Sequence, residues 1–353
     1  VEKMSRLHLA TGGLIAFWAS VALISALLEV PRWAIIHPLT LGVVTTAILT
    51  YSTHFTDALT RTSSRPLAVA VRLAALNLAL IALLIDALRL RFSTLSDIAA
   101  ATAACVLLWH GASIARKLRQ GLPGPFAVTV YCYIVAAVFF VLAVAAAVVQ
   151  QNTAAHARLA VWGFAWPTIA GTVLTLLPTM TKQRASTTAR NRLFRTLLVH
   201  CLALPLAAAL PGTPFAALAL LVCALAWSFA LQPVLAGTLV TAEFSASALE
   251  LTAGLLWLLG AMYADAATQF LGTERFPKHL LAFILVAGLA QIVVGALGHL
   301  LPVLTRRVTK PDTGYLKVGL LNGGAIITLI TPHIGLPILV VGLVLHARKV
   351  AFP

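Results

Sequence analysis

One property decides what this chain folds into: apolar runs of membrane-crossing length recur along it with almost no charge inside them. Phe126–Val149, for instance, carries no Asp, Glu, Lys or Arg. A helix needs about 20 mostly apolar residues to cross a bilayer. Twelve runs qualify: His8–Val30, Ala34–Asp57, Pro66–Leu88, Leu95–Leu118, Phe126–Val149, Ala155–Met180, Leu193–Ala209, Phe215–Gly237, Phe244–Ala267, Pro277–Leu304, Tyr315–Thr331 and Gly335–His346. The last two are short and meet at Pro332-His333, so they form either two spans or one broken hairpin. The loops are short, and none is long enough to fold as a soluble domain. The sequence predicts a single polytopic domain over 1–353, all α, with about twelve spans.

Composition agrees. Of 353 residues, 10% are charged and the mean hydropathy is +0.97, against roughly 25% charged in soluble domains. The net charge of +15 would suggest nucleic acid in a soluble protein, but basic residues also collect in the cytoplasmic loops of membrane proteins. With twelve spans, eighteen of the 25 Lys+Arg fall on the face that carries the N-terminus. Six (Arg32, Arg89, Arg91, Arg158, Arg275 and Lys278) fall on the other, and Arg72 lies within a span. That asymmetry predicts a multi-pass protein of the plasma membrane with both termini cytoplasmic and no nucleic-acid partner. The opening Lys3 and Arg6 before an apolar run are read as the start of a retained span rather than a cleaved signal. The four cysteines lie in apolar runs without a CxxC pair, which points to packed thiols.

Ten histidines in so apolar a chain need a reason, because ionisable groups in spans are costly and usually functional. His37, His156, His279 and His333 fall at the outer ends of their runs, and His8, His54, His299 and His346 at the inner ends. His37, His156 and His279 open the second, sixth and tenth runs, at separations of 119 and 123 residues. That period predicts three four-helix repeats, near 1–120, 121–240 and 241–353. The local echo of Gly171–Lys182 in Gly295–Arg306 supports it.

On the second run His37 and His54 lie about 25 Å apart at 1.5 Å per residue, and on the tenth His279 and His299 lie about 30 Å apart. Histidines near both ends of two helices suit one haem per leaflet, with imidazoles as axial ligands and Gly42, Gly163, Gly288 and Gly295 clearing room for the porphyrin. Helical phase argues against using all four, since His279 and His299 point nearly opposite ways. The cofactor candidates are therefore His37, His54, His279 and His299, with Arg72 for a propionate inside and Arg32 or Arg158 outside. A metal without porphyrin would draw on His37, His54, His156 and His299, and copper is the metal in view. His8 and His346 read as headgroup contacts, His110 as an interface anchor, His200 as a buried hydrogen-bonded histidine and His333 as a solvated loop residue. Glu250 and Asp265 on the ninth run are candidates for a proton path.

The stretch from His37-Pro-Leu-Thr-Leu-Gly42 to His54-Phe resembles the second helix of a membrane family related to the haem-copper oxidases. That family includes NnrS-like proteins and the membrane region of actinobacterial multicopper oxidase or nitrite-reductase-type proteins. His156-Ala-Arg-Leu-Ala-Val-Trp-Gly163 with Gly171 to Met180 resembles its sixth-span motif, and Gln291 to Leu304 resembles a third motif of the family. The resemblance implies a subunit-I-like bundle of three pseudo-symmetric four-helix arcs. It also implies one or two b-type haems, and electron transfer from a quinol-like donor to an outer copper oxidase or other redox partner. The chain departs from the family at Arg158 and Ala160, where the sixth-span motif carries a second histidine and an asparagine. It also lacks the tandem His-His, the His-Pro-Glu-Val-Tyr type segment and the His-x-His pair of a complete oxidase. The expected role is thus an electron-transfer component with no catalytic residue assigned. A copper-handling transporter or chaperone is the alternative, and a cofactor-free subunit the third.

Overall fold

Apolar side chains cover the outside of this molecule as well as the inside. Phe17, Leu67, Leu202, Val240 and Leu271 all face outward, as lipid-facing side chains do and as few water-facing ones would. The computed structural model describes residues 2–28, 30–89, 91–240, 245–306 and 313–351, with side chains from Met4 to Arg348 within those segments. Phe244, Arg307 and Lys310, and the side chains of Lys3 and Lys349, lie outside the described residues. The chain is 86% helix, without strands among the described residues.

Twelve helices are described: α1 Glu2–Leu27, α2 Arg32–Thr60, α3 Pro66–Leu88, α4 Thr94–Gln120, α5 Val128–Val148, α6 Thr153–Met180, α7 Thr187–Ala209, α8 Pro214–Val240, α9 Ala246–Phe270, α10 Lys278–Leu304, α11 Tyr315–Ile330 and α12 Pro332–Ala351. Ten of them, α1 to α10, are long and apolar enough to cross a membrane, which makes this a helical, multi-pass membrane protein. Helices α11 and α12 are shorter in apolar length and pack on each other as an antiparallel hairpin. At their turn Gly335 lies so close to the Thr328 backbone that a Cβ would overlap it.

Helices α2, α6 and α10 share a construction that no other helix has among the described residues. Each opens as an α-helix, widens into a π-helical stretch (Pro38–Thr45, Leu159–Ala165 and Ile284–Ala290) and returns to α. A π turn carries an extra residue and shifts the facing of everything beyond it. In α2 the register is held by Thr45, whose hydroxyl donates to the carbonyl of Thr40, five residues back, at 2.9 Å. Each stretch contains one glycine, Gly42, Gly163 or Gly288, and any side chain there would overlap Trp18, Phe139 or Leu258 on the preceding helix. All three helices also end alike. Thr60, Thr181 and Thr305 donate to the carbonyl four residues back at 2.7, 2.8 and 2.7 Å. The next residue, Arg61, Lys182 or Arg306, takes a left-handed φ of 54, 58 or 54°. That conformation ends a helix, and the basic side chain suits the negative C-terminal dipole.

The same three helices set the packing. Each pairs with its preceding helix (α1, α5 and α9), and each also meets the first helix of the next group: α2 meets α5, α6 meets α9, and α10 returns to α1. Helix α6 is the most buried of the ten. Between α2, α6 and α10 lies a crevice of about 70 Å³, walled by apolar side chains such as Ile48, Leu176, Ile292 and Leu297.

Three ion pairs join helices among the described residues. Arg158 on α6 makes a two-pronged bond to Asp265 on α9 at 2.9 and 3.2 Å, with both residues fully buried. Lys117 on α4 binds Asp57 on α2, and Lys317 on α11 lies 3.6 Å from Glu250 on α9. Asp265 and Glu250, the candidates for a proton path, each belong to a separate ion pair.

Candidate functional site: two histidine pairs at opposite faces

At the face away from the N-terminus, His37 and His156 come together from α2 and α6, with ring centres 6.2 Å apart and planes within 18° of parallel. Helix geometry places both. Pro31 starts the turn that carries Trp33 and His37, and the Asn152 side chain caps α6 by accepting from the Ala155 amide at 2.9 Å, which sets His156 in the first turn. His37 Nδ1 donates to the Trp33 carbonyl at 3.1 Å, and His156 Nδ1 to the Ala143 carbonyl at 2.9 Å. Trp33 lies flat against His37 with ring centres 3.7 Å apart. With Nδ1 protonated and anchored, each ring keeps its Nε2 lone pair, and neither Nε2 has a hydrogen-bond partner among the described residues. A carbonyl on one imidazole nitrogen is the usual partner arrangement behind a metal-ligating histidine.

The other candidates separate. His54 lies at the far end of α2 from His37, about 25 Å along the axis, so the two cannot share a centre. His299 is half-buried on α10, without a hydrogen bond or ring contact among the described residues, and His279 is exposed, as is His333. Arg72 is buried on α3, donates to His110 Nδ1 at 2.9 Å and lies over the Trp109 ring. Arg158 is likewise committed to Asp265. The glycines expected to make room for a porphyrin instead admit neighbouring helices: Trp18 at Gly42, Phe139 at Gly163, Leu258 at Gly288, and the Ser247–Leu251 backbone at Gly295.

Three histidines depart from their sequence reading. His8 is buried, stacked on Tyr51 with ring centres 5.9 Å apart and edge-on to His54 at 5.6 Å. His110 is a buried link, with Nδ1 bonded to Arg72 and Nε2 to the Ser52 hydroxyl at 2.9 Å. His346 is buried beside Lys317 at 3.5 Å. His200 conforms: its Nε2 meets the Trp162 carbonyl and its Nδ1 the Trp227 indole N–H, both at 3.0 Å. His8 and His54 border a cavity of about 660 Å³ between α1, α2, α3 and the α2–α3 loop. The signal for His8 was in the sequence, since it opens the first run as His54 closes the second.

Among the described residues no group of three or more His, Cys, Asp or Glu is gathered for a metal, so any metal here takes two protein ligands at most from those types. No family model, curated protein or solved structure matches this chain.

Proposed function

We propose that this is an electron-carrying metalloprotein of the plasma membrane whose centre is held by His37 and His156. The observation that carries this reading is the pair itself: two imidazoles from different helices, each with one nitrogen tied to a carbonyl and the other without a partner. Their ring centres lie 6.2 Å apart, so His37 and His156 are the residues that would hold a metal here, each through its Nε2. Haem iron asks the protein for only two such ligands, because the porphyrin fills the other positions, so the donor set fits a b-type haem. When bound, the haem supplies a one-electron centre. The chain's part would be to fix both imidazole tautomers through the Trp33 and Ala143 carbonyls and to stack Trp33 on one ligand.

Copper is the second reading, and a specific observation favours it. Trp18 and Phe139 occupy the glycine positions that a porphyrin would need, whereas a single copper ion, for which imidazole is a suitable ligand, needs no such room. The wider frame belongs to the same proposal: twelve spans in three four-helix arcs related to the haem-copper oxidases, both termini cytoplasmic, and transfer from a quinol-like donor to an outer redox partner. The three π-helical stretches, the three Thr-basic ends and the cyclic packing of α2, α6 and α10 support the arcs, and the basic bias of one face supports the orientation.

A reduced-minus-oxidised absorption spectrum of the purified full chain, with metal analysis on the same sample, tests the proposal. A sharp b-type signal that disappears in His37→Gln supports haem, and copper near one per chain without that signal supports the second reading. A colourless, metal-free protein from cells supplied with haem and copper overturns both.

A further inference from the structure

Positive charge gathers at one corner of the N-terminal face, where α7 begins and α8 ends. Positions 98–242 hold nine Lys or Arg and no Asp or Glu. Lys117 and Arg158 reach carboxylates outside that stretch, Asp57 and Asp265. Arg116 and Arg119 close α4 and Lys182 follows α6, positions where a helix dipole suits a cation. Arg190, Arg192 and Arg195 are placed the other way. They lie in the first half of α7, within about 12 Å of its first residue at 1.5 Å per residue, toward the end of the dipole that favours an anion. The first acid past the stretch, Glu243, lies outside the described residues.

These side chains are built into the seam between α7 and α8. Pro233 lies inside α8 and has no N–H, so the Phe229 carbonyl four residues earlier lacks its helical donor. Arg192 fills that place. Its Nη1 donates to the Phe229 carbonyl at 2.8 Å and to Gln232 Oε1 at 3.2 Å, and its guanidinium carbon lies 3.9 Å from the centre of the Phe229 ring. Nε and Nη2 of Arg192 make no hydrogen bond among the described residues. Arg195, three residues on, is a neighbour on the same side of the helix. It is exposed and makes no hydrogen bond, ion pair or ring contact among the described residues. Asn191 Oδ1 accepts from Arg190 Nε and Nη2, both at 3.1 Å, which leaves the Asn191 amide nitrogen as a donor. The groups without a partner at this corner are therefore donors. Farther along the seam, which the Thr196 hydroxyl closes on the Ala226 carbonyl at 3.1 Å, Leu198, Leu202 and Leu225 are exposed on the lipid side.

We infer that this corner binds the headgroup of an anionic phospholipid. The phosphate accepts from the Arg192 and Arg195 guanidiniums, whose planar forks match phosphate oxygens, and from the Asn191 amide. An acyl chain lies against Leu198, Leu202 and Leu225, so the apolar wall beside the donors favours a lipid over free phosphate. A zwitterionic headgroup would bring a cation among arginines and is disfavoured. The site lies at the opposite face from the His37–His156 pair and does not depend on whether that pair holds a metal.

The test is native mass spectrometry of the full chain titrated with dioleoylphosphatidylglycerol or dioleoylphosphatidylcholine, with melting temperature recorded for every variant. The expected result is one phosphatidylglycerol held saturably and in preference to phosphatidylcholine. The double variant Arg192→Gln/Arg195→Gln weakens it about tenfold or more, the loss expected for charge-assisted hydrogen bonds. Arg116→Gln/Arg119→Gln removes the same charge from the same face and leaves binding unchanged. Arg195→Gln alone, which breaks no contact within the described residues, also weakens it, so a double variant that fails to fold does not end the test. Equal weakening in the two double variants overturns the inference, because the face as a whole would then be acting. No preference for phosphatidylglycerol, full binding in Arg195→Gln, or displacement of the lipid by excess inorganic phosphate overturns it as well.

Discussion

His200 and His156 are histidines of neighbouring helices within one bundle, yet they are held in opposite ways. Every hydrogen-bonding nitrogen of His200 is used, one on the Trp162 carbonyl and one on the Trp227 indole. His156, like His37, has one nitrogen on a carbonyl and one without a partner. His110 belongs with His200, since Arg72 and Ser52 take both of its nitrogens. The difference separates histidines that join helices from histidines that can accept a ligand, and residue type or depth alone does not make that separation. The ion pairs sharpen the point. Arg158 and Asp265 satisfy each other, with further bonds from Trp162 to Asp265 at 2.9 Å and from Arg158 to the Glu274 carbonyl at 3.3 Å, so this cluster holds α6 to α9 and offers nothing outward.

Substitutions on the two sides of this comparison should therefore affect different quantities. The largest loss of stability is expected for Asp265→Ala, which strands the fully buried Arg158 and costs about 3–5 kcal/mol. It should appear as a steep drop in melting temperature or in recoverable protein. Next comes Gly163→Ala, whose new methyl overlaps Phe139 and costs about 1–3 kcal/mol through overpacking, read in the same melt. His200→Ala leaves the Trp227 N–H and the Trp162 carbonyl unpaired for about 1–3 kcal/mol, and metal content should remain that of the wild type. His37→Gln sits at the other pole: stability changes by about 1 kcal/mol or less, while metal falls below a tenth of the wild-type content. A His200→Ala protein that loses metal, or a His37→Gln protein that unfolds but retains it when folded, would break the comparison.

Much of the fold is legible in the sequence because lipid imposes a simple length rule. The first ten runs match α1 to α10 to within a few residues at most ends, and the weak eleventh and twelfth runs become a hairpin joined at Thr331-Pro332. The pairing of histidines is less legible. The spacing groups His37, His156 and His279 alike, whereas the structure brings only the first two together, and the glycine register shows that even these are not equivalent. Counting from Gly42 and Gly163, the position of His37 corresponds to Arg158, and His156 sits two residues earlier. His279, nine residues before Gly288, is too near its helix end and stays exposed. The π-helical stretches also rotate everything that follows them, a shift that a uniform 100° per residue does not include. Burial of His8 and His110 depends on partners 46 and 38 residues distant, His54 and Arg72, and no local pattern reveals such contacts.

The most direct test of the central claim is the metal or haem content per chain of the wild type, His37→Gln, His156→Gln and the double variant, purified side by side. If the two imidazoles hold one centre, each single substitution empties the protein as fully as the double does, and all four melt alike once stripped of metal. Full content in either single variant, or losses that simply add in the double, would contradict a shared centre.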